Sequence, residues 1–258
     1  MKYISYLKIA KYLPIEKGDT LFISSDIGNL FREAYNHKEN FDPNKFIDTF
    51  IEKIGNEGTL IFPTYNWGFC KGETFNYKKT VCKTGALGTR ALSRNDFKRT
   101  KHPIYSFAVC GKDKELLVNM NNESSFGINS PFAYFNNKKA KNLIIDVEYS
   151  SCYTFVHHVE EMSDIRTYRY LKSFTSEYID ENSIKKIRSY SMLVRNLDLD
   201  VQNDLFPIGI EMENCGIAKK SIINDIPFTI VNMNASFDLI MQDIKENRSR
   251  KICKYIGQ

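Results

Sequence analysis

The residues best suited to chemistry lie in the segment Thr154-Phe-Val-His157-His-Val-Glu160. Because residues three apart are neighbours on one helical face, Thr154, His157 and Glu160 are expected to line up. Glu160 would then orient His157 as a general base and support its charge. The dipole of a helix beginning near Thr154 would keep the imidazole neutral near pH 7. The same spacing also occurs in ordinary ion pairs on helix surfaces.

A second histidine, His102, precedes Pro103 in the run Arg99-Thr-Lys-His102-Pro103-Ile-Tyr-Ser106. Because proline pushes the preceding residue into an extended conformation, His102 and Ser106 would be held at the entrance of a strand. There they could contact a substrate. A loop histidine that is satisfied by backbone groups explains the same pattern.

Three other segments are compatible with ligand binding or with a purely structural role. Ser24-Ser25-Asp26-Ile-Gly28 follows an apolar run, and amides in such a turn can bind carbonyl or phosphate oxygens. Trp67 lies in the aromatic segment 65–69 and could pack on a ligand ring or belong to the core. Phe126-Gly127 begins a glycine turn that leads to Ser130-Pro131.

Metal and thiol chemistry fit the sequence less well. His102, His157 and His158 form neither an H-E-x-x-H nor an H-x-H pattern, so no metal is expected. Cys152 lies five residues before His157 and could be a nucleophile. We expect it instead to be a small buried residue at a strand end.

These residues need a scaffold, and the chain alternates strand-like and helix-like segments up to residue 166. Strands are predicted at 20–24, 59–62, 106–110 and 142–147, and helices at 43–54, 86–93, 114–120 and 153–162. The alternation predicts a three-layer α/β/α fold with a mixed, largely parallel sheet. Because ligands bind beyond the carboxyl ends of such strands, the site is expected at loops 24–29, 63–71 and 148–154.

The C-terminal third has a different pattern. Strands at 168–178 and 186–194 predict a small antiparallel insertion, which a helix at 204–214, a strand at 228–231 and a helix at 235–246 follow. We expect a single domain over residues 1–258 with a substrate-facing subregion at 165–220.

Composition narrows the class of protein. The 258 residues carry 36 basic and 31 acidic side chains, a net charge of +5 that is too evenly spread to predict nucleic-acid binding. It suits an anionic small molecule better than a polycation. The N-terminus lacks a signal-like segment, and no apolar run approaches the roughly 20 residues of a membrane span. Six cysteines without C-x-x-C pairs fit a cytoplasmic protein with reduced thiols.

Taken in order, these motifs resemble the aminoglycoside 3-N-acetyltransferase family. The resemblance covers roughly residues 12–162, while the C-terminal third matches loosely. The matching motifs are Gly18-Asp19, Ser24-Ser25, Gly58-Thr-Leu-Ile-Phe-Pro63-Thr64, Gly85-Ala-Leu-Gly88 with Arg90, Arg99-Thr-Lys-His102-Pro103-Ile-Tyr-Ser106-Phe107-Ala108 with Gly111, Phe126-Gly127-x-x-Ser130-Pro131 and Thr154-x-x-His157-x-x-Glu160.

The resemblance implies an acyltransferase that uses acetyl-CoA or another acyl-CoA and no metal; an acyl carrier protein is an alternative donor. It makes His157 the catalytic base, Glu160 its carboxylate and Thr154 a third catalytic position, with a hydroxyl or amide near Ser24, Ser25 or Thr154 meeting the oxyanion. The expected cofactor-side residues are Ser24, Ser25, Arg99, His102, Ser106, Phe126 and Gly127. The expected acceptor-side residues are Asp26, Tyr65, Asn66 and Trp67.

The acceptor has two candidates. Ile23 stands where family members usually carry histidine, and Asp26-Ile27 replaces a more apolar continuation. Together with the basic composition, these departures favour a nucleotide-linked amino sugar of surface-polysaccharide synthesis over an aminoglycoside antibiotic. A non-catalytic coenzyme A-binding protein, a distant metal-dependent hydrolase and a homodimeric assembly stay open at this point.

Overall fold

Short apolar runs form the central strands because both faces of the sheet are covered. A computed structural model describes residues 3–165 and 168–256. All residues of the second strand are buried. The strands are β1 Thr20–Ser25, β2 Thr59–Pro63, β3 Phe75–Asn76, β4 Lys98–Arg99, β5 Phe107–Gly111, β6 Lys141–Ile145, β7 Arg169–Ile179, β8 Lys185–Arg195, β9 Val201–Asn203, β10 Ala218–Ile223, β11 Ile226–Asn232 and β12 Cys253–Tyr255.

Seven of these strands form the central sheet, in the order β10-β11-β6-β1-β2-β5-β4. β1 pairs in parallel with β2 and with β6, in a register that sets Phe22 opposite Ile61 and Asn142. The outer pairings are antiparallel. The predicted mixed α/β sheet is confirmed, with its parallel pairing concentrated at the three central strands.

Helices cover both faces of this sheet. They are α1 Ile9–Tyr12, α2 Gly28–Asn36, α3 Pro43–Ile54, α4 Ala86–Leu92, α5 Lys114–Asn119, α6 Pro131–Asn137, α7 Tyr149–Cys152, α8 Val156–Met162, α9 Phe206–Asn214 and α10 Met233–Asn247. Because strand side chains alternate between faces, Leu21 and Ile23 join one core cluster and Phe22 the other. The first cluster packs α3, and the second packs α6, α8 and α10.

α3 shows how the local sequence sets an element. Asp42 caps its N-terminus by accepting a hydrogen bond from the Asn44 amide (2.8 Å), and Pro43 occupies the first turn. The helix ends at Gly55, whose φ of 66° suits glycine. Its apolar face, spaced three and four residues apart, packs on the sheet as predicted.

The C-terminal third contains the predicted antiparallel insertion. β7 and β8 pair along their whole lengths, and β3 adds a third strand. Several elements were not predicted, among them α2 and the edge strand β10. The helix predicted at 153–162 begins later, at Val156, and forms α8; a separate short helix, α7, precedes it, and the backbone of Tyr153 between them is not helical. Residues 166 and 167 of the predicted 165–220 subregion lie outside the described residues. Within the described ranges, no helix combines the length and apolar character needed to cross a membrane.

Candidate active site

The carboxyl ends of β1 and β2 and the loop after β6 border a cleft of about 440 Å³. All three loops that were expected to form the site contribute to it. Six of the predicted site residues line this cleft: Ser24, Ser25, Tyr65, Trp67, Thr154 and His157. Glu160 is not part of the lining but contacts His157.

His157 lies in the first turn of α8. Its Nδ1 is 2.6 Å from Oε2 of Glu160, one helical turn further on, as the three-residue spacing predicted. Thr154 precedes the helix, and its carbonyl oxygen accepts a hydrogen bond from the His157 amide (3.1 Å). Because a carboxylate can only accept, Nδ1 carries the proton and the Nε2 lone pair remains for the cleft.

Glu160 is held by two residues that follow α8. The hydroxyl of Tyr168 donates to its Oε1, and Nε of Arg169 lies 3.0 Å from its Oε2. Arg169 also donates to Oδ1 of Asn203 (2.5 Å), on the rim of the cleft. A buried charge pair of this kind is expensive to break, so it fixes the carboxylate firmly.

The electrostatics of this cluster favour a neutral base beside an ionised carboxylate. Burial, reinforced by the charge of Arg169, holds the pKa of His157 below its ordinary value although Glu160 opposes the shift. Burial alone would raise the pKa of Glu160, but His157 and Arg169 hold that pKa below its ordinary value. The imidazole is therefore unprotonated at Nε2 near pH 7 and can accept a proton.

Other hydroxyl groups also line the cleft. Ser24 is buried at the end of β1, where its Oγ accepts a hydrogen bond from the Asn142 side chain (3.3 Å). Ser25 is half-buried beside it. The Thr154 hydroxyl donates to the carbonyl oxygen of Cys152 (3.4 Å).

Two of the four expected acceptor-side residues form an aromatic wall. Tyr65 packs edge-on against Tyr105, with ring centroids 4.7 Å apart, and Nε1 of Trp67 donates to the Tyr105 hydroxyl (3.3 Å). The other two do not line the cleft. Asn66 bonds the Val81 carbonyl (2.9 Å), and Asp26 accepts from the amide that begins α2 (2.8 Å).

Arg99 and Ser106 also lie away from the cleft lining, in contrast to the expectation of ligand contact. Arg99 is buried and donates to Oγ of Ser106 (3.1 Å) and to the carbonyl oxygens of Thr80 (2.5 Å) and Thr64 (3.2 Å). Ser106 donates to the Thr64 carbonyl (2.8 Å). These bonds tie the loop after β2 to β5 and so support the wall that carries Tyr65.

His102 likewise forms hydrogen bonds with backbone groups of the protein. Its Nδ1 accepts hydrogen bonds from the amides of Ile104 (3.3 Å) and Tyr105 (3.1 Å), and Nε2 lies 3.4 Å from the Glu123 carbonyl oxygen. The side chain is 1% exposed and does not reach the cleft. Burial lowers the pKa of His102 to about 3, so the ring stays neutral and fixes the turn that positions Tyr105.

This burial predicts a pH-dependent stability. Because the folded pKa of about 3 lies below the unfolded value of 6.5, the unfolded chain binds more protons between these limits. His102 therefore contributes stability above pH 6.5 that is lost as the pH falls, by up to about 1.4 kcal/mol per unit. His102→Asn retains an acceptor for the two amides. Urea unfolding at pH 7, 6, 5 and 4 should show the wild-type advantage shrinking; a constant advantage would contradict the prediction.

Phe126 packs against the His157 ring, and Gly127 is closely packed by other side chains. The ring of Phe126 is buried and lies 5.2 Å from the His157 ring and 4.7 Å from that of Tyr105. A Cβ on Gly127 would lie 3.0 Å from Oε1 of Glu161 and 3.1 Å from Cβ of Ser124. Neither residue lines the cleft, so Phe126 lies near the imidazole but neither residue occupies the expected cofactor-side position.

Several cleft residues were not predicted from the sequence: Lys83, Thr84, Tyr105, Ser150, Ser151, Asn203 and Leu205. The aromatic Tyr105 is inside a motif that was noticed for its histidine and serine. The others have no spacing that marks them. Cys152 lines the cleft, but burial raises its thiol pKa to about 12, which argues against a nucleophile. Among the described residues, no three His, Cys, Asp or Glu side chains are grouped to hold a metal ion.

Solved structures with the same fold include three that the chain matches over nearly its full length. AAC-IIIb in a binary complex with CoASH gives a TM-score of 0.78 at 15% identity, covering 95% of this chain and 98% of that one. Sisomicin-bound AAC-VIa gives 0.77 at 15%, covering 95% and 99%. The YokD protein from Bacillus subtilis gives 0.76 at 19%, covering 96% and 94%. At such identities the likeness shows the fold.

The sequence has no significant match among curated proteins. A family model described as aminoglycoside 3-N-acetyltransferase matches residues 36–245, which is most of the chain. The match includes the His157–Glu160 pair and extends past the region in which the motifs resembled that family. The predicted family is therefore confirmed: the chain belongs to the aminoglycoside 3-N-acetyltransferase family, whose members are acetyl-CoA-dependent transferases.

Proposed function

We propose that this chain transfers an acetyl group from acetyl-CoA to an amine of an aminoglycoside. The observation that carries the proposal is the His157 imidazole, which faces the cleft with its Nδ1 bonded to the buried Glu160 carboxylate. Family membership supports the reaction type. Sisomicin is bound in one structure of this fold and CoASH in another, which supports the two substrates.

In the proposed mechanism His157 acts as general base. Its Nε2 removes a proton from the acceptor amine while the nitrogen attacks the thioester carbonyl carbon, and the carbonyl electron pair moves onto oxygen. Glu160 stabilises the imidazolium that forms. His157 then returns the proton to sulfur as the carbon–sulfur bond breaks and the carbonyl re-forms. The step produces an amide and a free thiol and needs no covalent enzyme intermediate.

The lining of the cleft is compatible with the acetyl-pantetheine end of acetyl-CoA. The lining combines small hydroxyl residues from β1 and α7 with the aromatic side chains of Tyr65, Trp67 and Tyr105. Lys83 is exposed on the rim and is the cleft's cationic side chain for a phosphate. Ser24, Ser25 and Thr154 stay predictions for contacts near the thioester.

The acceptor is assigned from the charge beside the cleft rather than from the net charge of the chain. A neighbouring cavity of about 510 Å³ shares Val147 and Ser150 with the cleft. Its lining includes the carboxylates of Asp146, Glu148 and Glu213 and one lysine, Lys220. A negative local potential attracts a polyamine and disfavours a pyrophosphate. This neighbouring cavity therefore favours an aminoglycoside over a nucleotide-linked amino sugar.

The segment at 165–220 contributes Asn203 and Leu205 to the cleft and Glu213 to the acidic cavity. We therefore retain the proposal that it is a substrate-facing subregion of one domain. The acyl carrier protein donor and the oligomeric state have no further support from these contacts.

The acceptor is tested by thiol release. The protein is incubated with acetyl-CoA and either sisomicin or a uridine-diphosphate-linked amino sugar, and free thiol is followed with a chromogenic disulfide. We expect turnover with the aminoglycoside and a rise of at least about threefold in its KM in Glu213→Gln, because one attractive charge is lost. Turnover with the nucleotide-linked sugar alone would reverse the assignment, and no turnover with either would contradict the proposed function.

A further inference from the structure

The hydroxyl of Tyr65 is buried in the cleft without a hydrogen-bond partner among the described residues. The side chain is 4% exposed. Leaving a buried donor unsatisfied costs about 1–3 kcal/mol, so native structures rarely do so without a reason. The position of the hydroxyl in the lining of the cleft means that a bound substrate can supply the missing acceptor.

The ring of Tyr65 is held in place by its neighbours. It packs edge-on against Tyr105 at 4.7 Å, Phe107 at 5.4 Å and Trp67 at 6.4 Å. Arg99 ties the same loop by donating to the Thr64 carbonyl (3.2 Å). A donor fixed in this way needs no rearrangement at the moment of reaction, which is the property that makes electrostatic stabilisation effective.

Other hydroxyl groups of the cleft are already engaged. The neighbouring Thr154 hydroxyl donates to the Cys152 carbonyl oxygen and is outside hydrogen-bond geometry with Tyr65. Ser24 Oγ accepts from the Asn142 side chain, and the Tyr105 hydroxyl accepts from Nε1 of Trp67. Among the described residues of this lining, Tyr65 is the buried hydroxyl that has no hydrogen-bond partner of either kind.

Tyr65 and His157 both line the same cleft. Thr154, next to Tyr65, accepts a hydrogen bond from the His157 amide, and Phe126 bridges the rings of Tyr105 and His157. We propose that Tyr65 is a catalytic residue that donates its hydroxyl hydrogen bond to the oxyanion formed when the amine attacks the thioester. The inference rests on the proposed function and names the donor that its mechanism requires.

The protonation state agrees with this role. Burial raises the pKa of Tyr65 well above its ordinary value, so the phenol retains its proton where His157 is neutral. During the step Tyr65 transfers no proton. It bonds the carbonyl oxygen as the carbon–nitrogen bond forms and negative charge accumulates there, and it releases the oxygen when the carbon–sulfur bond breaks.

Tyr65→Phe tests the inference because it removes the hydroxyl and leaves the ring. Hydroxylamine serves as a small acceptor so that the result does not depend on the identity of the sugar. We expect kcat to fall by about 10²–10³-fold, the KM for acetyl-CoA to change by less than about threefold, and the melting temperature to stay equal or rise because an unsatisfied group is lost.

Tyr178→Phe is the matched control. Its hydroxyl donates to the Lys101 carbonyl (2.8 Å) outside the cleft, so this variant should lose stability and keep kcat. A kcat of Tyr65→Phe within about twofold of wild type would overturn the inference while leaving the proposed function intact. A wild-type protein that acetylates neither hydroxylamine nor any sugar amine would instead overturn the proposed function, and with it this inference.

Discussion

Replacing His157 with alanine is expected to lower kcat for acetyl transfer by at least about 10²-fold and to leave the affinity for coenzyme A nearly unchanged. A positioned base contributes about 10²–10⁴-fold because the attacking amine must lose its proton as the carbon–nitrogen bond forms. The imidazole presents Nε2 to the cleft, while the walls that would hold the pantetheine arm are separate side chains. Initial rates of thiol release and calorimetric titration with CoASH measure the two quantities.

The adjacent position offers a matched control for that variant. His158 is buried and its Nδ1 bonds the Phe126 carbonyl oxygen (2.6 Å), away from the cleft lining. His158→Ala should therefore unfold at lower urea concentration but retain kcat within about threefold. Full turnover of His157→Ala would show that the proton is removed by another group. Equal losses in both variants would indicate damage to α8 rather than loss of the base.

The residues of the site that follow from local geometry were predictable from the sequence. A spacing of three residues is enough to bring His157 and Glu160 together on a helix, and their contact is observed. The expected helix start near Thr154 is wrong by two residues, because Thr154 and Phe155 form a turn before α8 begins at Val156. Prediction succeeds here because the decisive contact lies within one helical turn.

Contacts between distant segments were not predictable. Arg169, the first residue of β7, contacts Glu160 of α8, and no spacing pattern in the sequence indicates this contact. The same limit explains Arg99 and His102. Their residue types suit ligand binding, but only the fold shows that backbone carbonyls and amides already satisfy their hydrogen bonds.

The local charge near the cleft and the direction of individual outer strands were not predictable for a related reason. The formal charge of +5 is a sum over the whole surface, whereas the cavity beside the cleft carries three carboxylates and one lysine. Likewise, a buried apolar run does not indicate whether its neighbour is parallel, so the sequence predicts β5 and β11 as strands but not their antiparallel pairing. Both properties depend on which segments become neighbours in the fold.

Glu160→Gln is expected to reduce kcat by about 10²–10⁴-fold while preserving the shape of the side chain. In the wild type the carboxylate accepts from Nδ1 of His157, which leaves Nε2 free of a proton. A glutamine amide can donate to Nδ1 and so stabilise the opposite tautomer, in which Nε2 is protonated and cannot act as base. The loss should appear in kcat rather than in the KM for acetyl-CoA.

The pH profile separates this explanation from simple loss of structure. Glu160 raises the pKa of His157, whereas burial and Arg169 lower it. Replacing the Glu160 carboxylate with a neutral amide should therefore lower the pKa of His157 further. In Glu160→Gln, kcat/KM should therefore decline at a lower pH than in wild type when the solution is acidified, although its maximum value is reduced. Glu161→Gln, one residue further on and away from the cleft lining, should change neither. A decline at a higher pH than in wild type would contradict the assigned pair, because it would mean that the carboxylate does not stabilise the imidazolium.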